Sequence, residues 1–449
     1  MPSGPSDDSR GRTRRSAPHT GGLANSHRLA ALGAAIDQNA GVKHKNKIPK
    51  GARTGWRRHK GLWITATSIV LVIVLVLGGG YFYINSQLSN IHRMKVPGLV
   101  ARIGNKPFNI LEIGSDSRAG LSGFLAAQTG ASTNAVSGQR SDVIKIMHVD
   151  PSQGTISVLS IPRDTLTTLL ANQSTYGKFN RLNVNFGDGP SLLARTITAN
   201  FGIPIAHTIV VSFLGIINAA QAIGGAYMNF PYPAKDAFSG LNIPHAGCQI
   251  VNNFQALALV RSRHYAWFQN GIWNYDVTSD YGRIYRQNEF LKAMIDRAKG
   301  IYSPFTIVSF ISKLTQGIAL DSGFSNNEII GLVEKFHSID PTNLQTYTLP
   351  TTPGTVGGLT GTLLVVEPAM QKMLFGIFGS QLLKPTSPPP VNSAGATPGW
   401  SVPTTAATSS VVIPTKGAHF LVNLAASTGT TTTTLPEGDQ FFDPTPCKA

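Results

Sequence analysis

Apolar and polar positions alternate in strand-length and helix-length blocks from Arg102 to about Leu383. Asn109 to Ile113 is an apolar run ended by Gly114, which predicts a strand whose far tip carries Asp116 and Arg118. Val143 to Val149 is rich in β-formers and begins directly after Arg140 and Asp142. Asp150-Pro151-Ser152-Gln153-Gly154 has the composition of a tight turn. Thr155 to Ile161 then predicts the returning strand, stopped by Pro162 just ahead of Arg163 and Asp164. If these neighbours run antiparallel, the end of the first, the start of the second and the end of the third share one edge. Sequence order alone then gathers Asp116, Arg118, Arg140, Asp142, Arg163 and Asp164 in one place. Further strand patterns lie near 207–213 and 226–230. Helical patterns cover 189–201, 214–222, 252–260, 283–299, 304–316 and 325–337. This mixture predicts one α/β domain, placed at 105–383.

More arginine further along fits the same site. Val260-Arg261-Ser262-Arg263 puts two guanidinium groups on one face if the backbone is extended there. Asp280 to Gln287 reads as a helix start with Asp280 as N-cap. Arg283, Arg286 and Gln287 then share a face continued by Phe290, Leu291 and Met294. A buried stripe that opens with arginine and glutamine points into a polar pocket rather than into water. Arginine's planar fork grips phosphate oxygens through paired hydrogen bonds. Two aspartates among so many cations suit a hard divalent ion, Mg²⁺ or Mn²⁺ in its place, completed by waters and phosphate oxygens. A pyrophosphate satisfies both halves of this constellation. The competing reading is a rim of ordinary ion pairs.

Charge and hydropathy add a membrane to the picture. The first sixty residues carry thirteen Lys/Arg and three Asp/Glu, a net of +10 out of the total +16. They read as a disordered basic cytoplasmic tail, without the aromatic interleaving or helix-turn-helix pattern of a nucleic-acid binder. No residue from Gly61 to Ile91 is charged, and 61–84 predicts a transmembrane helix, an uncleaved anchor rather than a signal peptide. The positive-inside rule sends everything after Ile84 to the outer face of a cell membrane, beginning with a juxtamembrane linker over 85–104. Residues 384–449 turn to Pro, Ser, Thr and Gly and read as a mostly unstructured tail. Cys248 and Cys447 both fall on the exported side, where a pair is expected to be bridged, with two unpaired thiols as the alternative.

The segments NILEIGSDSR, RSDVIKIMHVDP, ISVLSIPRDT, RLNVNFGDGPSLL, QALALVRSRH and SDYGRIYRQNEFLKAMI together resemble the LytR-CpsA-Psr family of membrane-anchored cell-wall enzymes, from about Lys106 to Glu367. The resemblance implies a central mixed β-sheet flanked by helices and an apolar pocket for a polyprenyl chain. It implies transfer of a glycopolymer from a polyprenyl-pyrophosphate carrier to peptidoglycan. It also implies metal ligands at Asp116 and Asp142, and pyrophosphate-binding groups at Arg118, Arg140, Arg163, Arg261, Arg263 and Arg283, with Gln287 beside them and Arg286 and Asp280 in less certain roles. Arg163, Asp164, Arg261 and Arg263 are the expected catalytic set, Asp164 orienting Arg163. Two alternatives are hydrolysis of the same carrier and a non-enzymatic envelope regulator. Glu112 and Lys145 depart from the family's apolar strand residues and are expected to form a cross-strand ion pair. The segment 119–139 is a flap or a structureless insertion. His264 and His148 are read first as packing residues. Tyr281, Tyr285, Trp267, Phe268 and Trp273 either line a sugar groove or fill the core.

Overall fold

The computed structural model describes residues 78–117, 121, 141–299, 312–313, 315–336, 339–392 and 441–448. At its centre is a seven-stranded mixed sheet built from β1 (His92–Met94), β2 (Phe108–Ser115), β3 (Ser141–Asp150), β4 (Thr155–Ser160), β5 (His207–Val211), β6 (Ile318–Asp321) and β7 (Gln345–Thr348). The strands lie in the order β1-β6-β5-β2-β3-β4-β7. β2, β3 and β4 are antiparallel neighbours, as their patterns predict. β5 joins β2 in parallel, and β7 joins β4 in parallel. The β3–β4 turn is closed by Gly154 donating to the Asp150 carbonyl at 2.9 Å. The Asp150 carboxylate also accepts from the Ser152 amide at 2.8 Å, the local bond that makes aspartate a turn residue.

The main helices are α1 (Pro190–Phe201), α2 (Phe213–Ala222), α3 (Asn253–Arg261), α4 (Asp280–Lys299), α5 (Asn326–Phe336) and α6 (Ala369–Phe378). Period-two alternation gives the sheet two apolar faces. Leu111, Ile113, Ile144, Ile146 and Leu159 pack against α1 and α6 through Leu193, Ile197, Phe201, Leu374 and Phe378. Phe108, Ile110 and Val149 pack on the other side with Leu88, Ile91 and the apolar stripe of α5. A second core joins α3, α4 and the strand Ala226–Phe230 through Met228, Phe230, Leu259, Tyr265, Trp267 and Phe290. His148 is a packing residue, with Nδ1 2.7 Å from the Asn109 amide oxygen and its ring edge-on to Phe378.

The expected linker and the described parts of the expected tail carry defined structure. Residues 85–104 are not a free linker. A helix over 78–89 docks on α5, where Asn326 Nδ2 donates to the Asn85 carbonyl at 3.2 Å and Ser89 Oγ at 3.0 Å. β1 then caps the open edge of β6, supplying backbone partners that an edge strand otherwise lacks. The tail is also held at both ends. Val391–Asn392 pairs with the strand Leu359–Val366, and Thr445–Pro446 pairs with Ala226–Phe230. Cys447 is bridged to Cys248, and Phe442 stacks on Trp267 at 3.8 Å, anchors that the surrounding low-complexity composition masks. Residues 61–77 of the expected membrane span lie outside the described residues, and its remainder, 78–84, is helical. Among the described residues no helix is long and apolar enough to cross a membrane. The 119–139 segment, Leu121 apart, and most of the 304–316 helix pattern also lie outside them.

Candidate active site

The edge predicted from strand order exists. Register pairs Ser115 directly with Ser141, so Asp116 and Asp142 follow paired residues at the same end of β2 and β3. A bulge after Gly114 sets this end. A Cβ on Gly114 would stand 2.6 Å from the Val143 Cβ, so only glycine permits the approach. Pro162 ends β4 on the same edge, and the Arg163 guanidinium donates to the Asp142 carboxylate. Burial alone would lower the Arg163 guanidinium, but Asp142, Asp164 and Asp280 outweigh it and hold the group above its ordinary value.

Helix α4 brings the other half. Its first turn carries Asp280, favourable beside the helix N-terminus. Asp280 Oδ1 lies 2.7 Å from Arg283 and 3.4 Å from Arg263. Arg283 also donates to the Asp142 carbonyl at 2.8 Å, tying the helix to β3. One turn on, Gln287 Nε2 donates to the Val260 carbonyl at 2.8 Å, which satisfies an end carbonyl of α3. Asp142, Lys145, Ser160, Arg163, Asp280, Arg283 and Gln287 all line one pocket.

The buried polar atoms of this pocket are short of partners. Nε of Arg163 and Arg283 and Oε1 of Gln287, with Nε of the neighbouring Arg263, make no hydrogen bond among the described residues, although Arg163 Nε and Arg263 Nε stand 3.5 Å and 3.4 Å from the Asp164 and Asp280 carboxylates. Native structures rarely leave such groups unmet; ligand oxygens would accept from the arginine Nε donors, whereas Gln287 Oε1 is an acceptor and calls for a donor such as a sugar hydroxyl.

Several assignments need correction. Arg286 does not enter the pocket. At 100° per residue it sits 100° around the helix from Gln287, and it turns into the second core. There it is fully buried, bonded to Asp276 at 2.8 Å, to Asp443 at 2.7 Å and to the Ser262 carbonyl at 3.1 Å. Gly282 makes room for this group, since a Cβ there would meet Asp276 Oδ2 at 2.1 Å. The chain is not extended through 260–261. Arg261 ends α3 and lies over the Phe213 ring at 5.1 Å, whereas Arg263 turns to Asp280. Asp280 stands inside the helix rather than capping it. Arg118 and Arg140 fall outside the described residues. Arg181 was missed. Its Nε is 3.5 Å from Asp164, the residue that also faces Arg163 at 3.5 Å, so Asp164 bridges two arginines. Its only sequence signal was its place in the quoted RLNVNFGDGPSLL segment.

Glu112 and Lys145 are directly opposed across β2 and β3, as expected, but the lysine ammonium hydrogen-bonds Asn288 of α4. The pairing with Glu112 is through space. Burial pushes Glu112 up, with Lys145 opposing, and pushes Lys145 down to about 8, with Glu112 opposing and Arg283 adding to the fall. An unfolded lysine keeps its proton to about pH 10.5, so below pH 8 folding bears the cost of a buried ammonium. That cost is shed as pH rises from about 8 to 10.5. Stability measured by urea denaturation is therefore expected to rise with pH across that window through this group. Lys145→Met should flatten the rise, and an unchanged slope in that variant would refute the assignment.

Residues 82–374 match the LytR_cpsA_psr family. The polyisoprenyl-teichoic acid–peptidoglycan teichoic acid transferase TagV of Bacillus subtilis (strain 168) is 27% identical over 288 residues, 58% of this chain and 67% of that protein. TagU of the same organism, another protein of that description, is 25% identical over 258 residues, 55% of this chain and 73% of its own. The solved LytR-Csp2A-Psr enzyme from Actinomyces oris shares the fold at a TM-score of 0.50 and 20% identity, over 66% of this chain and 97% of its own. A family match over more than half of its length, on a mixed sheet flanked by helices, places this chain in the LytR_cpsA_psr family.

Proposed function

We propose that this chain is a transferase that moves a glycopolymer from a polyprenyl-pyrophosphate carrier to peptidoglycan. The observation that carries the reading is the convergence of Arg163 and Arg283 on one pocket, with Arg263 held beside it by Asp280. Its relatives TagV and TagU are named as transferases of teichoic acid to peptidoglycan.

A sugar hydroxyl of the acceptor attacks the sugar-side phosphorus. The new P–O bond forms as the bond to the bridging oxygen breaks, and polyprenyl phosphate leaves. Such transfers depend mainly on positioning and on neutralising the phosphoryl oxygens. Arg163, Arg263 and Arg283 supply that neutralisation from fixed positions, held by Asp142, Asp164 and Asp280. Arg163 trades its bond to Asp142 for phosphate oxygens, leaving that carboxylate available to a cation. Asp116 and Asp142 fit Mg²⁺ or Mn²⁺, because two carboxylates at paired strand ends offer only hard oxygen donors beside a phosphate pocket. A metal bound there would stabilise charge on the leaving phosphate. The uncharged run before Ile91 and the basic residues ahead of it support a single-pass anchor in the cell membrane, with the domain on the outer face.

The test is reconstitution with a synthetic polyprenyl-pyrophosphate-linked glycan and purified peptidoglycan. Expected are glycan covalently joined to peptidoglycan and one polyprenyl phosphate per transfer, with EDTA stopping turnover and Mg²⁺ or Mn²⁺ restoring it. Free glycan with polyprenyl phosphate and no joined product would replace transfer by hydrolysis. Absence of any turnover would return the regulator reading.

A further inference from the structure

A four-stranded sheet beside the site turns an aromatic face to solvent. Its strands run in the order Leu241–Ile243, Ala234–Asp236, Ala266–Gln269 and Ile272–Tyr275. Directly paired residues share a face, so register sorts the side chains. Asp236 pairs with Leu241, Ala234 with both Ile243 and Trp267, and all five are buried on the inner face. Lys235 pairs with Asn242 and Ala266, Ala266 with Tyr275, and Phe268 with Trp273, on the opposite face, which is covered at Ala266 and open toward Phe268, Trp273 and Tyr275. The outer face of an antiparallel sheet is ordinarily polar. Here Tyr275 is 65% exposed and Phe268 39% exposed. Phe268 meets Trp273 at 5.4 Å, and the Lys235 ammonium stands 3.7 Å over the Trp273 ring.

This face adjoins the arginine cluster through the chain itself. The hairpin leaves from Arg263, pairs Ala266 with Tyr275 at its base, and returns to Asp280. Arg263 and Asp280 are themselves 3.4 Å apart. At the same end His264 donates its backbone amide to the buried Asp236 at 2.9 Å and carries Phe238, 75% exposed, on its ring at 4.3 Å.

We propose that this face is the platform for the acceptor, a carboxylate-bearing polysaccharide strand. The proposal rests on the transfer reading above and names the partner of that site. The donor is gripped by its pyrophosphate in the arginine pocket. The acceptor brings no phosphate to the reaction, so its hold must come from other chemistry. Sugar rings lay their C–H faces on flat exposed aromatic rings, and the carboxylates of peptidoglycan meet the Lys235 ammonium. Exposed aromatic surface next to a reaction centre marks such a groove.

The test uses the full chain in detergent. Association with purified insoluble peptidoglycan is measured by co-sedimentation, and donor binding with farnesyl pyrophosphate. Phe268→Ala with Tyr275→Ala is expected to weaken peptidoglycan association about tenfold or more, with farnesyl pyrophosphate binding within about twofold. Tyr275→Ser alone, at a largely exposed position, serves if the double variant fails to fold, and Lys235→Glu should act in the same direction. Unchanged peptidoglycan association in folded variants overturns the platform. If those variants instead lose affinity for phosphatidylglycerol vesicles, or change from dimer to monomer, the face belongs to a membrane or to a second copy, and the proposal falls. Failure of the unaltered protein to bind farnesyl pyrophosphate would sink the transfer reading, leaving the peptidoglycan measurement to judge the platform by itself.

Discussion

Arg286→Ala is expected to destabilise the folded domain by about 3–5 kcal/mol, the usual cost of breaking a fully buried charge pair from one side. Arg286 is wholly inaccessible to solvent and bonds Asp276 at 2.8 Å and Asp443 at 2.7 Å. Its guanidinium also covers the Tyr265 ring at 4.5 Å. Three neighbours would lose their cation at once, and two carboxylates would face each other in the core. The measurement is the urea midpoint at unchanged m-value. Asp443 lies four residues before Cys447 in the strap pinned to Cys248. Asp443→Asn and Cys447→Ser should therefore be less than additive, because each loosens the same segment. Since Arg286 stands outside the pocket, Arg286→Ala is expected to turn over normally at temperatures where it remains folded. A destabilisation under about 1 kcal/mol, or a loss of turnover in the folded variant, would return Arg286 to the site.

Arg163→Ala is expected to do the reverse, lowering turnover by about 10²–10³ with little change in stability, the usual effect of deleting one preorganised donor to developing charge. Arg163 contacts Asp142 and Asp164, and all three side chains keep 19–28% of their surface. Partly buried pairs of this kind cost the fold less to lose than the fully buried Arg286 cluster. Arg163→Lys should recover only a small part of the activity, because a compact ammonium cannot reproduce a planar fork across several phosphate oxygens. The loss should appear mainly in kcat, since the charge to be neutralised grows in the transition state. Wild-type turnover from folded Arg163→Ala would show that the pocket is not where the phosphate reacts.

The sequence by itself determined the edge at which the chemistry gathers. Turn composition over Asp150–Gly154 makes β3 and β4 antiparallel neighbours, and the apolar run ended by Gly114 places Asp116 at the same tip as Asp142 and Arg163. Local rules suffice there, because period-two alternation and short turns leave few alternatives. Helical patterns were also legible to within a few residues, as α1, α2, α3, α4 and α5 show.

Which cations share the site is set by how distant elements pack. Arg283, Arg286 and Gln287 lie within two turns of one helix, yet two line the pocket and one is captured by Asp443, 157 residues away. Arg181 joins through Asp164, a contact of low sequence signal between separate elements. The C-terminal strap reads as low complexity, but Phe442, Asp443 and Cys447 dock it to partners far along the chain. Charge and periodicity specify that a side chain is buried or basic. Which counter-charge it meets depends on how distant elements pack, and the free energy of that choice resides in contacts with no local signature.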